Sequence, residues 1–94
     1  MDLILAKQTK YIVAGSLNYD QRFDVFDNYQ EAHSYMMDIY NRIVNDIYEG
    51  SPDKLAYDKR IGDVSFDDTF AFINGEYDSQ VNLSIYEVSF DLFD

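Results

Sequence analysis

The chain has 94 residues, of which 18 are acidic, seven basic and one histidine, for a formal net charge of −11. Hydrophobic residues at 47% and aromatics at 17% exclude a disordered acidic tail, and the charge excludes the clustered Lys and Arg needed to bind phosphate backbones or anionic lipid. With no cysteine there is no disulfide or thiolate metal site, and the length predicts a single domain over 1–94 burying roughly 60–65% of its unfolded surface.

The stretch 1–10 is apolar and then polar, and reads as a short edge strand or a frayed end. Its acid at Asp2 stands where a secretory leader carries bases, so a mature cytosolic chain is expected. The stretch 11–17 is β-branched and aromatic and predicts a strand, with Gly15 marking a bulge or the close approach of another backbone. Asn18-Tyr19-Asp20-Gln21 is turn chemistry, and 22–26 completes a first hairpin. Asn28, with Glu31 three places on, has the spacing of a helix cap. Ala32, Tyr35, Met36, Ile39, Tyr40, Ile43 and Ile47 then recur at spacings of three and four, one face of a helix of about five turns. His33, Asp38, Arg42 and Asp46 fall on its polar side. Gly50 and Ser51-Pro52 stop it.

The stretch 53–60 reads as a flexible polar connection, anchored by Leu55 and Tyr57. Strands return from Ile61. Val64, Phe66, Phe70 and Phe72 share one parity, interrupted at Asp68, which predicts a turn or bulge at Asp67-Asp68. Asn74-Gly75 is a strong turn signal that widens into a loop. Val81, Leu83 and Ile85 alternate with polar residues. Val88, Phe90 and Leu92 then take the other parity, and a bulge near Tyr86 is the expected repair. The sum is an α+β fold: an antiparallel β-sheet with one α-helix packed on one face, in the order β-β-α-β-β. The other sheet face is expected to be at least partly wet.

No constellation of catalytic residues stands out. His33 has no partner at a useful spacing, and a nucleophilic triad needs a base oriented by a third group. Metal motifs and a phosphate-binding glycine loop are both missing. Asp63, Asp67 and Asp68 could collect a hard cation loosely, but a solvated acidic turn is the commoner reading. No catalytic residue, cofactor or metal is therefore predicted. Charge asymmetry is the stronger signal. The formal charge is −8 over 61–94, which has no base, and −3 over 1–60. Such a surface attracts basic proteins, above all those that bind nucleic acids. Five of the nine tyrosines also precede an acid directly, at Tyr19, Tyr48, Tyr57, Tyr77 and Tyr86. A tyrosine packs on an Arg or Lys stem while its neighbouring acid pairs the head. Tyr48, at the helix end, reads instead as core. The candidate partner-binding residues are Asp63, Asp67, Asp68, Glu76, Tyr77, Asp78, Glu87 and Asp91. Charge reversal at Asp67 with Asp68, or at Glu76 with Asp78, is expected to abolish binding and spare the fold.

In size, acidity and lack of catalytic groups the chain resembles the small phage-encoded inhibitors of host defence, including anti-CRISPR proteins and other DNA mimics. The resemblance covers overall composition and compactness, and carries over no individual residue. It implies a non-enzymatic inhibitor acting in the host cytoplasm. Its acidic surface would occupy the basic nucleic-acid-binding groove of a host defence nuclease, such as a CRISPR effector, or its guide complex. The second reading is an antitoxin- or immunity-type cap, or a phage accessory module, on another basic protein. Self-association as a homodimer through an exposed sheet edge is left open.

Overall fold

The computed structural model describes the backbone over 4–75 and 80–93 and the side chains over 8–75 and 80–89. In chain order its elements are β1 (Ile4–Leu17), β2 (Asp20–Phe26), α1 (Tyr29–Tyr48), α2 (Pro52–Arg60), β3 (Val64–Phe66), β4 (Phe70–Asn74) and β5 (Gln80–Phe93). The strands form one antiparallel sheet in the order β2-β1-β5-β4-β3. The α+β class is as the sequence predicts. The order β-β-α-β-β with one helix is not: the described residues form two helices and five strands.

The two longest strands, β1 and β5, pair at the centre of the sheet. The N-terminal run is thus the start of a central strand rather than a separate edge strand or a fray. Its pairing with β5 runs unbroken from Ala6↔Leu92 to Leu17↔Val81. No bulge therefore forms near Tyr86, and the change of apolar parity along β5 has another cause. Val81 and Leu83 are buried under the helix, with Val13, Val64, Ala71 and Ile73. Further along β5, the same parity meets polar partners, as in the hydroxyl pair Thr9–Ser89 at 3.2 Å. The helix no longer covers the strands there, so that side has nothing to bury.

Helix α1 is the lid of this core. Asn28 caps it, accepting the Glu31 backbone N–H at 2.8 Å, which satisfies one of the donors a helix start leaves unpaired. Ala32, Met36, Ile39, Tyr40, Val44 and Tyr48 are buried against the sheet. Val44 and Tyr48 belong to that face without belonging to the spacing pattern, and of the two only Tyr48 is read as core from the sequence. Each large apolar side chain buried this way contributes about 1.5–3 kcal/mol of transfer free energy.

The stretch read as a flexible connection is helix α2. Pro52 sits in its first turn, where a missing N–H costs nothing. Asp53 lies in the first turn and Lys59 and Arg60 in the last, matching the helix dipole. Leu55 packs against the core while Tyr57 stays exposed. At Asp67-Asp68 the chain does turn. The turn also changes the face: Val64 and Phe66 lie on the helix side, whereas Phe70 and Phe72 lie opposite, and Ala71 and Ile73 take the buried positions.

Strand β2 pairs with β1 only from Tyr11 onward, and β4 pairs with β5 only as far as Ser84. The remaining parts of β1 and β5 project as a two-stranded arm. The molecule is accordingly long, 62 × 22 × 19 Å, with a radius of gyration of 16.9 Å, against about 12 Å for a compact chain of this length.

Candidate protein-interaction surfaces

Among the described residues, the sequence-predicted contact positions are spread over separate elements. Asp63 lies between α2 and β3, where its backbone N–H bonds the Asp58 carbonyl at 2.9 Å and its carbonyl accepts the Asn74 N–H at 2.7 Å. Asp67 and Asp68 lie at the β3–β4 turn, at the other end of β3. Glu87 is exposed on β5 opposite Tyr11, on the helix-side parity. Asp91 holds the register position opposite Lys7, and its side chain lies outside the described residues. Glu76, Tyr77 and Asp78 lie wholly outside them.

Asp67 has a structural role. Its Oδ1 accepts the Thr69 N–H at 2.7 Å, the Thr69 hydroxyl at 3.1 Å and the Phe70 N–H at 3.1 Å. These bonds, led by the Thr69 backbone N–H, hold its carboxyl below the usual aspartate range. The expectation that reversing Asp67 and Asp68 together spares the fold is therefore corrected, because Lys at Asp67 removes the acceptor around which the turn is built. Asp68 presents its backbone instead: Tyr29 donates its phenol to the Asp68 carbonyl at 2.5 Å. That phenol is held above the ordinary tyrosine pKa, first by burial and then by the Asp68 and Asp67 charges.

A grouping that the sequence did not signal lies at the end of α1. Asp46, Asp58 and Asp63 line a groove of about 360 Å³ with Tyr48 and Lys54. Asp46 and Asp58 belong to the less acidic first 60 residues, so charge counting along the chain passed over them. Tyr48, buried as expected, donates to Asp58 Oδ2 at 2.6 Å. Burial first, and then that bond, push the Tyr48 phenol far up. No three acid or histidine side chains among the described residues are placed to hold a metal ion. His33 stacks on Tyr29 with ring centroids 5.5 Å apart, which gives it a packing role on the helix surface.

Carboxylates are segregated between the two faces of the sheet. Among the strand residues whose side chains are described they fall at Asp20, Asp24 and Glu87, and all three share the helix-side parity. Asp24 there accepts the Tyr35 phenol at 2.7 Å, a bond that raises the tyrosine pKa. The helix-free face carries Phe23, Val25, Phe70, Phe72 and Tyr86 around a floor of Ala14, Ser16, Asn82 and Ser84. The charged strand residue on that face, Lys10, is paired with Asp27 at the end of β2. Of the tyrosine–acid pairs, Tyr86 belongs to this face, Tyr19 is exposed at the β1–β2 turn, and Tyr57 is exposed beneath the Arg60 guanidinium at 5.2 Å.

No protein-family model matches the chain, and neither the curated proteins nor the solved structures contain a match to it. Among the described residues, no helix is long and apolar enough to cross a membrane.

Proposed function

We propose that this protein is a non-enzymatic inhibitor that presents carboxylates to the basic, nucleic-acid-binding groove of another protein, the target class being a host defence nuclease or its guide complex. The observation that carries the reading is the shortage of internal neutralisation. Among the described residues the carboxylate in an ion pair is Asp27, with Lys10. Glu31, Asp38, Asp46, Glu49, Asp53, Asp68 and Glu87 are exposed on helices, turns and strand. Held on ordered elements, they can stand in for phosphates and be paired by the Arg and Lys that otherwise hold a nucleic-acid backbone. Such attraction speeds encounter and weakens with salt.

The test is capture of a partner from host lysate, with elution by short duplex DNA and, separately, by salt. Release of a nucleic-acid-binding protein by DNA is the expected result. A partner released by salt but indifferent to DNA would move the reading to a toxin cap or accessory subunit. Charge reversal at Asp68 and Glu87 together, both exposed and neither used to build a turn through its side chain, is expected to weaken capture at least tenfold. Unchanged capture by that variant would remove these two acids from the contact.

A further inference from the structure

We infer that the helix-free face of the sheet is a self-association surface whose occupant is the same face of a second copy of this chain, the two related by a two-fold axis. Phe23 is 68% exposed and Tyr86 55%, and both share this face with Val25, Phe70 and Phe72. These side chains rim a floor of Ala14, Ser16, Asn82 and Ser84, and exposed apolar side chains gathered on one face in this way mark an interaction site.

Charge selects the occupant. A basic partner gains little from a face without strand carboxylates. A second copy, by contrast, carries −11 of its own and is repelled least where the carboxylates turn away. The register places Asp20, Asp24 and Glu87 on the opposite parity, and Lys10 is already neutralised by Asp27. Two such faces can meet without opposing like charges.

Shape agrees. Tyr86 stands between two shallow grooves, one of about 510 Å³ bounded by Phe23 and one of about 480 Å³ bounded by Phe70 and Phe72. A face with both a ridge and grooves is able to complement itself, as a two-fold interface requires. Aligned packing of two sheets about 10 Å apart is a standard way to bury such faces.

The projecting arm extends the same surface. An isolated two-stranded ribbon is marginal in water, and in this one the described side chain that continues the free-face parity of β5 is Val88. Seven residues of β1 pair with both neighbours and the other seven lie in the arm, each segment roughly 24 Å at about 3.4 Å per residue. In an antiparallel pair each arm therefore reaches across the other copy's sheet. Body and arm together present roughly 600 Å² per copy on strand spacings of about 4.8 Å, or about 1,200 Å² in all, the lower end of the range for specific interfaces.

The test is sedimentation equilibrium of the full chain across protein concentration at low and high NaCl. The expected result is a species of twice the 11.0 kDa chain mass whose association strengthens with added salt, since salt screens the repulsion between like-charged copies. The carboxylate-mediated complex weakens with salt, so the two readings fail separately. Phe23→Glu and Tyr86→Glu are each expected to raise the dimer dissociation constant at least tenfold. A Ser84→Cys variant, placed in the floor of the face, gives a readout that does not depend on those two: its alkylation should slow as protein concentration rises. A chain that stays monomeric at every concentration and salt would overturn the inference. So would a dimer unaffected by either glutamate, or a Ser84→Cys alkylation rate indifferent to dimerisation. Protection of that variant only by a captured foreign protein would assign the face to the foreign protein instead.

Discussion

A Cβ added at Gly15 would stand 1.9 Å from the backbone carbonyl oxygen of Asn82. Gly15 lies in β1 opposite Leu83, with φ +145°, and the central ladder closes over it. The conflict is with main chain, so no side-chain rotation relieves it. Gly15→Ala is expected to destabilise the fold by at least about 3 kcal/mol, the sum of a forbidden backbone angle and displacement of β5. A shift in urea midpoint, at constant slope, reads this directly.

The β1–β2 turn is the converse case. Asn18 and Tyr19 both have positive φ, 52° and 72°, the pattern of a type I′ hairpin turn. Asn18 tolerates that region and also ties β5, accepting the Gln80 N–H on Oδ1 at 3.0 Å. Tyr19 pays for its bulk there and is 75% exposed, so little packing is at stake. Tyr19→Gly is expected to stabilise by about 0.5–1 kcal/mol, the relief of strain being partly offset by the freer unfolded chain. Thermal denaturation of the pair of proteins measures it.

Tyr40 is buried between helix and sheet, its ring 5.1 Å from that of Phe66, and its hydroxyl has no hydrogen-bond partner. A buried donor left unpaired costs about 1–3 kcal/mol relative to water. Tyr40→Phe keeps the ring and removes the orphan. Its expected outcome is a stability gain of about 1 kcal/mol, visible as a higher urea midpoint.

Tyr48 and Asp58 join α1 to α2. Tyr48→Phe leaves the half-buried Asp58 carboxylate without its donor and is expected to cost about 1.5–3 kcal/mol. The pH dependence has a definite sign. Tyr48 is raised by burial and by Asp58, and Tyr35 first by its bond to Asp24. The folded protein therefore keeps these protons at a pH where the unfolded chain has begun to release them. Their contribution is intact below the ordinary value of 10.0 and is lost as pH rises through the folded values. Urea midpoints measured from neutral to strongly alkaline pH should fall above that value, and less steeply in Tyr48→Phe.

Much of the local structure could be read from residue types. The helix of 29–48 followed from apolar spacing and the Asn28 cap, the first hairpin from turn residues at 18–21, and the close backbone approach at Gly15 from one of the two readings of a glycine inside a strand. Each is settled by the few residues around it. The second helix was missed because 53–60 lacks an apolar stripe. Its start and end signals, Pro52 and Lys59-Arg60, were present but had no periodic pattern to frame. The parity change in β5 was read as a bulge, because alternation in a single strand does not show where the covering helix ends.

The sequence by itself determined the class, the helix over 29–48 and the strong negative charge, since these depend on composition and short-range spacing. Only the tertiary structure decided which face each carboxylate occupies. Asp67 was drawn into a turn. Asp46, Asp58 and Asp63 came together from separate elements. Asp20, Asp24 and Glu87 fell on one side of the sheet and an apolar face on the other. The physical reason is that a strand's side chains alternate with a period of two, so facing depends on register against distant partners and on which side the helix covers. Neither is encoded within the strand itself.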